Sequence, residues 1–113
     1  MTPNRRHELN KLAGEFCGKA LAETQSSGSR GWLYMGEQAF PTIWNPCVKH
    51  DQAAEVKATL REKGCDMLIA VKKNYVMVMI FAPSEGMWEG QHESELIALL
   101  LAVEAVMKKE KHA

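Results

Sequence analysis

Apolar positions recur at helical spacing near both ends of the chain and at strand spacing between them. Leu9, Leu12, Phe16 and Ala20 fall three or four residues apart, the mark of one buried helix face. Thr2 can cap this helix, and Pro3 suits its first position, where a missing N–H costs nothing. The pattern predicts a helix over residues 1–23. Gly14 and Gly18 lie inside it, each costing about 1 kcal/mol relative to Ala. Marginal stability accounts for them more simply than close packing against a neighbour.

Residues 24–50 read as a connection. Thr24 to Gly31 is rich in Ser and Gly and predicts a flexible link. Trp32, Tyr34, Phe40 and Trp44 make the next segment too aromatic to be linker alone, and Trp32 to Met35 suits a short strand. From Phe40-Pro41 the chain should run extended to Asn45-Pro46, because residues before proline avoid the helical region.

Residues 51–113 form a helix-strand-strand-helix unit. Asp51 is the expected N-cap of a second helix, with Ala53, Val56 and Leu60 buried and Gly64 placed to stop it. Met67 to Val71 and Tyr75 to Phe81 have strand length and flank the polar turn Lys72-Lys73-Asn74, which predicts an antiparallel hairpin. Val76 to Phe81 lacks polar alternation, so both of its faces should be covered and the strand should be central. A hairpin alone is marginal in water, so a third strand is needed, drawn from Trp32 to Met35 or from the vicinity of Met87-Trp88. A last helix starts between His92 and Ser94 and runs to Lys108-Lys109. Its apolar arc, Leu96, Leu100, Val103 and Met107 widened by Ile97, Leu101 and Ala105, exceeds what a surface helix needs. Such a helix is deeply buried, or it meets a partner or a second copy. The expected fold is therefore one α+β domain, a two- or three-layer sandwich with a small, mainly antiparallel sheet packed by three helices.

Charge and cysteine content narrow the function classes. Fourteen basic and fourteen acidic residues balance, which removes the overall basic field of non-specific nucleic-acid binders. Nucleic acid is not an expected partner. Three cysteines, at 17, 47 and 65, form no C-x-x-C pair and suit a reducing cytoplasm. The start of the chain lacks the apolar core of a secretory signal. Leu96 to Val103 is far shorter than the roughly 20 residues that span a bilayer, so no membrane is expected.

Asn45-Pro46 followed by Asp51-Gln52-Ala53-Ala54-Glu55-Val56 on a helix, a strand pair and an Ala/Leu-rich final helix resembles the small phage-encoded ABA-sandwich domain proteins. Glu8-Leu9-Asn10-Lys11-Leu12 and Gly31-Trp32 fit the same pattern. The resemblance implies a bacteriophage or prophage accessory protein with helices and sheet in layers. It supplies no catalytic residue, and the family has no established common activity.

The candidate sites rest on residue types. Glu85, Glu89, Glu93 and Glu95 surround Met87 and Trp88 with no Lys or Arg between Ser84 and Glu95. A large aromatic ringed by carboxylates suits a protein interface that steers a basic partner. Trp88 folded back onto the hairpin accounts for the same residues. Glu85, Met87, Trp88, Glu89 and Glu93 are thus the expected protein-binding set, engaging a host protein or complex together with exposed parts of the last helix. Trp32, Tyr34, Phe40 and Trp44 are the alternative, lining a small-molecule or nucleotide site or forming a satellite core.

Cys47 and His50 have C-x-x-H spacing without further evident zinc ligands, so neither a metal nor a cofactor is expected. Ser26 to Gly31 lacks the strand-loop-helix order of a phosphate loop. Lys108, Lys109 and Lys111 suit a solvated helix end. Binding is expected rather than catalysis, and a homodimer would use the broad arc of the last helix.

Overall fold

The structure, a computed structural model, describes residues 1–26, 29–36 and 40–109, the side chains of Ser26 and Ser29 excepted. Helix α1 (Pro3–Phe16) is followed by strands β1 (Ala22–Ser26), β2 (Ser29–Met35) and β3 (Pro41–Trp44). Helix α2 (His50–Glu62), strands β4 (Asp66–Val71), β5 (Val76–Ala82) and β6 (Gly86–His92), and helix α3 (Glu95–Lys108) complete the chain. The fold is α+β, with three helices and two three-stranded antiparallel sheets, ordered β1-β2-β3 and β4-β5-β6. α3 lies on β5 and β6, α1 lies on β2, and the two helices pack against each other, so helices stand between the sheets.

The expected single sheet is thus two, because the segment read as a connection builds a sheet of its own. β1 pairs with β2 from Ala22↔Leu33 to Ser26↔Ser29, and Trp32 pairs with Trp44 on β3. The strand at Trp32 to Met35 is real, but the third strand of the second sheet is β6, with Ile80↔Trp88 and Phe81↔Met87. β5 is central as expected.

The first helix stops at Phe16 instead of Glu23, and the cause is Gly18. Its φ of +74° places it just beyond the C-cap Cys17. Gly18 N–H bonds to Glu15 C=O at 3.1 Å and Lys19 N–H to Gly14 C=O at 2.8 Å, the paired bonds of a Schellman turn. Gly64 ends α2 in the same way, with φ +79° and bonds from Gly64 to Arg61 and from Cys65 to Leu60. Gly14 is a packing glycine and not a weak point: a methyl there would meet Leu21 Cδ1 at 2.5 Å and Trp44 Nε1 at 3.0 Å.

α2 begins two residues earlier than expected. Lys49 occupies the N-cap without a side-chain bond, and Asp51 sits in the first turn. The turn at Asn45 sets this start, since Val48 and Lys49 N–H both bond to Asn45 C=O. Gln52, buried at the helix start, then accepts from Asn45 N and donates to Ile43 C=O at 2.6 Å.

Most of the wide arc of α3 is buried inside the chain, and Leu101, Ala105 and Met107 are half-buried. Leu96, Ile97, Ala98, Leu99, Leu100, Ala102 and Val103 are all buried, and Ser94 caps the helix through Ile97 N–H at 3.4 Å. Arg5 on α1 forms a two-pronged ion pair with Glu104 on α3, and that guanidinium holds the Glu104 carboxyl below its usual range, against the opposing effect of burial. A carboxylate with a depressed pKa contributes stability that is full above its unfolded value near 4.5 and is lost as pH falls through the folded value. Denaturant melts between pH 6 and about 3 should therefore steepen in their loss of stability below about pH 4.5, and Glu104→Gln should flatten that slope. The variant should cost about 1–2 kcal/mol at neutral pH, since Arg5 is partly solvated.

Candidate functional site

The second sheet has two unlike faces, set by the pairing register. Met67, Ile69, Val78, Ile80, Trp88 and Gly90 face α3, and Val78, Ile80 and Trp88 are fully buried there. The opposite face carries Leu68, Met79 and Glu89 in one row and Asp66, Phe81 and Met87 in the next. Met77 pairs with Ala70 and Gln91 one row further along. Among the described residues no helix covers this side, and Leu68 is 52% exposed and Phe81 37%. The expectation that both faces of β5 are covered is corrected here: its unbroken apolar run serves a core on one side and an open, methionine-rich surface on the other.

This register divides the expected protein-binding set. Trp88, at 1% exposure, belongs to the core and cannot touch a partner. Among the described residues its indole N–H has no acceptor. Met87 and Glu89 point the other way, onto the open face, where Glu89 Oε1 accepts from Gln91 at 3.2 Å. Glu85 lies in the β5–β6 turn and Glu93 just after β6, both exposed. Period-two alternation through Met87-Trp88-Glu89-Gly90 was the signal that separates them. Leu68, Met77, Met79 and Phe81 complete the patch and were not singled out, because a strand that is apolar throughout does not reveal which face is uncovered.

The aromatic set is divided as well. Trp32 and Trp44 are buried against α1, and their indole N–H groups donate to His7 C=O and Asn10 C=O, each at 2.8 Å. Tyr34 meets Trp44 edge-on, with Lys19 Nζ 4.4 Å from its ring centre. Phe40 is 67% exposed, and among the described residues it makes no ring contact with them.

Trp32 and Trp44 also form the back of an open cleft of about 470 Å³ between the start of α1, the strand segments around Arg30 and Ile43, and the turn at Asn45. His7 stacks on Trp32 at 4.4 Å and 13°, and its Nε2 lies 2.6 Å from Glu23. His7 and then Arg30, at 3.1 Å, hold the Glu23 carboxyl below its usual range. Asn10 ties the turn down, donating to Asn45 Oδ1 at 2.9 Å and accepting Cys47 N–H at 3.2 Å.

Cys47 also borders this cleft, but burial pushes its thiol up to about 11, so it is protonated at neutral pH. His50 is exposed on α2. Among the described residues no group of three potential ligands is placed to hold a metal. Residues 27 and 28 of the Ser/Gly stretch and Lys111 lie outside the described residues, whereas Arg30 and Gly31 belong to β2. No helix among the described residues is long and apolar enough to cross a membrane.

No protein-family model matches the chain, and comparison with curated proteins finds no match. Among solved structures, the chain is similar to the 2.0 Å crystal structure of a phage protein from Bacillus cereus ATCC 14579. The TM-score is 0.62 and the identity 17%, over 100% of this chain and 93% of that one. A likeness at this identity establishes the shared fold.

Proposed function

We propose that this is a phage accessory protein that works in the bacterial cytoplasm by binding a host protein or complex, of the kind that blocks a host defence system as anti-CRISPR inhibitors do. The fold shared with a phage protein and the resemblance to phage ABA-sandwich proteins support the phage origin. The observation that carries the binding reading is the uncovered face of Leu68, Met77, Met79, Phe81 and Met87. Methionines suit such a surface because their flexible thioethers adapt to a partner's shape. Asp66 and Glu85 lie at its Phe81 end, so the fitting partner has an apolar centre and a basic rim.

Area supports one type of contact. Three strands about 5 Å apart and about 20 Å long present about 300 Å², well under the roughly 800 Å² per partner of a stable interface. That favours reversible engagement of a host component over a permanent assembly through this face.

The paired substitution Leu68→Glu with Phe81→Glu tests this. Both side chains are already partly solvated, so melting should move by only a few degrees, on the order of 1 kcal/mol. A host protein that binds the unaltered chain reversibly should bind the folded variant at least about tenfold more weakly. Undiminished capture would remove this face from the function.

A further inference from the structure

The cleft behind α1 has a chemical bias independent of the open sheet face. Fourteen residues line it, none of them acidic, and its charged side chains are Arg6 and Arg30. Glu23, a β1 carboxylate, is already engaged by His7 and Arg30. Arg6 forms no ion pair among the described residues, unlike Arg5 beside it, which holds Glu8 and Glu104. Asn45, which also lines the cleft, spends its amide oxygen on Asn10, and among the described residues its amide nitrogen, a donor, has no acceptor. The first turn of α1 carries no acidic residue, the reverse of what a helix dipole favours, and of its two arginines Arg6 alone lines the cleft. An electropositive lining at a helix start violates a local rule, and a bound anion would relieve it.

The remaining walls are apolar. Ile43 and Val48 are more than half exposed at the cleft, and the Trp32 and Trp44 indoles close its back. A volume of about 470 Å³ exceeds what a bare anion fills and lies within the range of small-molecule sites. We infer that this cleft binds a small amphipathic anion, one phosphate or carboxylate group held by Arg6 and Arg30 on an apolar, ring-sized body that covers Ile43 and Val48.

Four probes separate the parts of this site: adenosine 5′-monophosphate and benzoate as amphipathic anions, inorganic phosphate as the anion alone, and adenosine as the body alone. Titration calorimetry and tryptophan emission would follow the full chain. At least one amphipathic anion should bind with a dissociation constant of about 1 mM or tighter and more tightly than inorganic phosphate or adenosine. Arg6→Gln should weaken it about tenfold. Arg6 is exposed, so this variant should melt like the unaltered protein. Emission should still respond in a Trp88→Phe variant, because Trp88 lies in the other sheet. Three results would each overturn the assignment: no binding of either organic anion up to about 10 mM, equal binding of inorganic phosphate, or binding indifferent to Arg6→Gln.

Discussion

Gly90→Ala should be among the most damaging single-methyl changes in this chain. A Cβ at residue 90 would stand 2.2 Å from Ala98 C=O, 2.5 Å from Ala102 N and 2.8 Å from Leu101 Cβ. Two of these three obstacles are backbone atoms of α3, so no rotamer change relieves the clash. The helix must lift off β6, away from the fully buried Val78, Ile80 and Trp88. Overpacking a core usually costs about 1–3 kcal/mol, and the rigid neighbours here put the expected loss at about 3 kcal/mol or more. Replacing a strand glycine otherwise returns only about 0.5–1 kcal/mol, too little to change the sign. At roughly 4 °C per kcal/mol for a chain of this size, thermal unfolding should fall by about 12 °C or more. Gly31→Ala is the matched control on the other sheet. Its nearest neighbour would be Thr24 Cγ2 at 3.7 Å, an ordinary contact, so its melting temperature should be unchanged or slightly raised. Equal effects at the two sites would show that α3 can shift without loss.

Asn10→Ala should be the next most costly, for a polar reason. Asn10 is buried, and its amide joins α1 to the turn at Asn45 and Cys47 by one donated and one accepted bond. Removing it strands the buried Cys47 N–H and the side-chain Oδ1 of Asn45, each worth about 1–3 kcal/mol when unsatisfied. Asn45 is half-buried and can recover a water, which brings the expected total to about 2–3 kcal/mol. Chemical denaturation should show a lower midpoint with an unchanged slope. The Trp44 indole should keep its emission, because its acceptor is the Asn10 backbone carbonyl and not the deleted side chain. A change below about 0.5 kcal/mol would mean that the turn holds its place without α1.

The two helix-stopping glycines show where local reading succeeds and where it stops. Gly64 follows a clear amphipathic run and precedes a strand, so its role in ending α2 is legible. Gly18 makes the same turn with the same bonds, but Ala20 continues the helical spacing beyond it and hides the break. Once the helix is drawn past Gly18, Ala22 and Glu23 are lost to β1. The Ser/Gly stretch then looks like linker, although Ser26 and Ser29 are partners across a hairpin. Polar strands such as Ala22–Ser26 carry little periodic signal, because their neighbours, and not their own apolar content, hold them in place.

By itself the sequence determined what depends on neighbours along the chain: the α2, β4, β5 and α3 succession, the central place of β5, the start of α3 near Ser94 and the stop at Gly64. Only the tertiary structure decided what depends on distant partners. It separated Trp88 from Met87 by fixing which face of β6 meets α3, and it left Leu68 and Phe81 uncovered. It also brought Arg6 of α1 to the same cleft as Arg30 of β2 and Val48 of the turn. Helix and strand periods act over a few residues, whereas the choice between a buried and an open face is made when sheets and helices pack, and no short stretch of sequence carries that information.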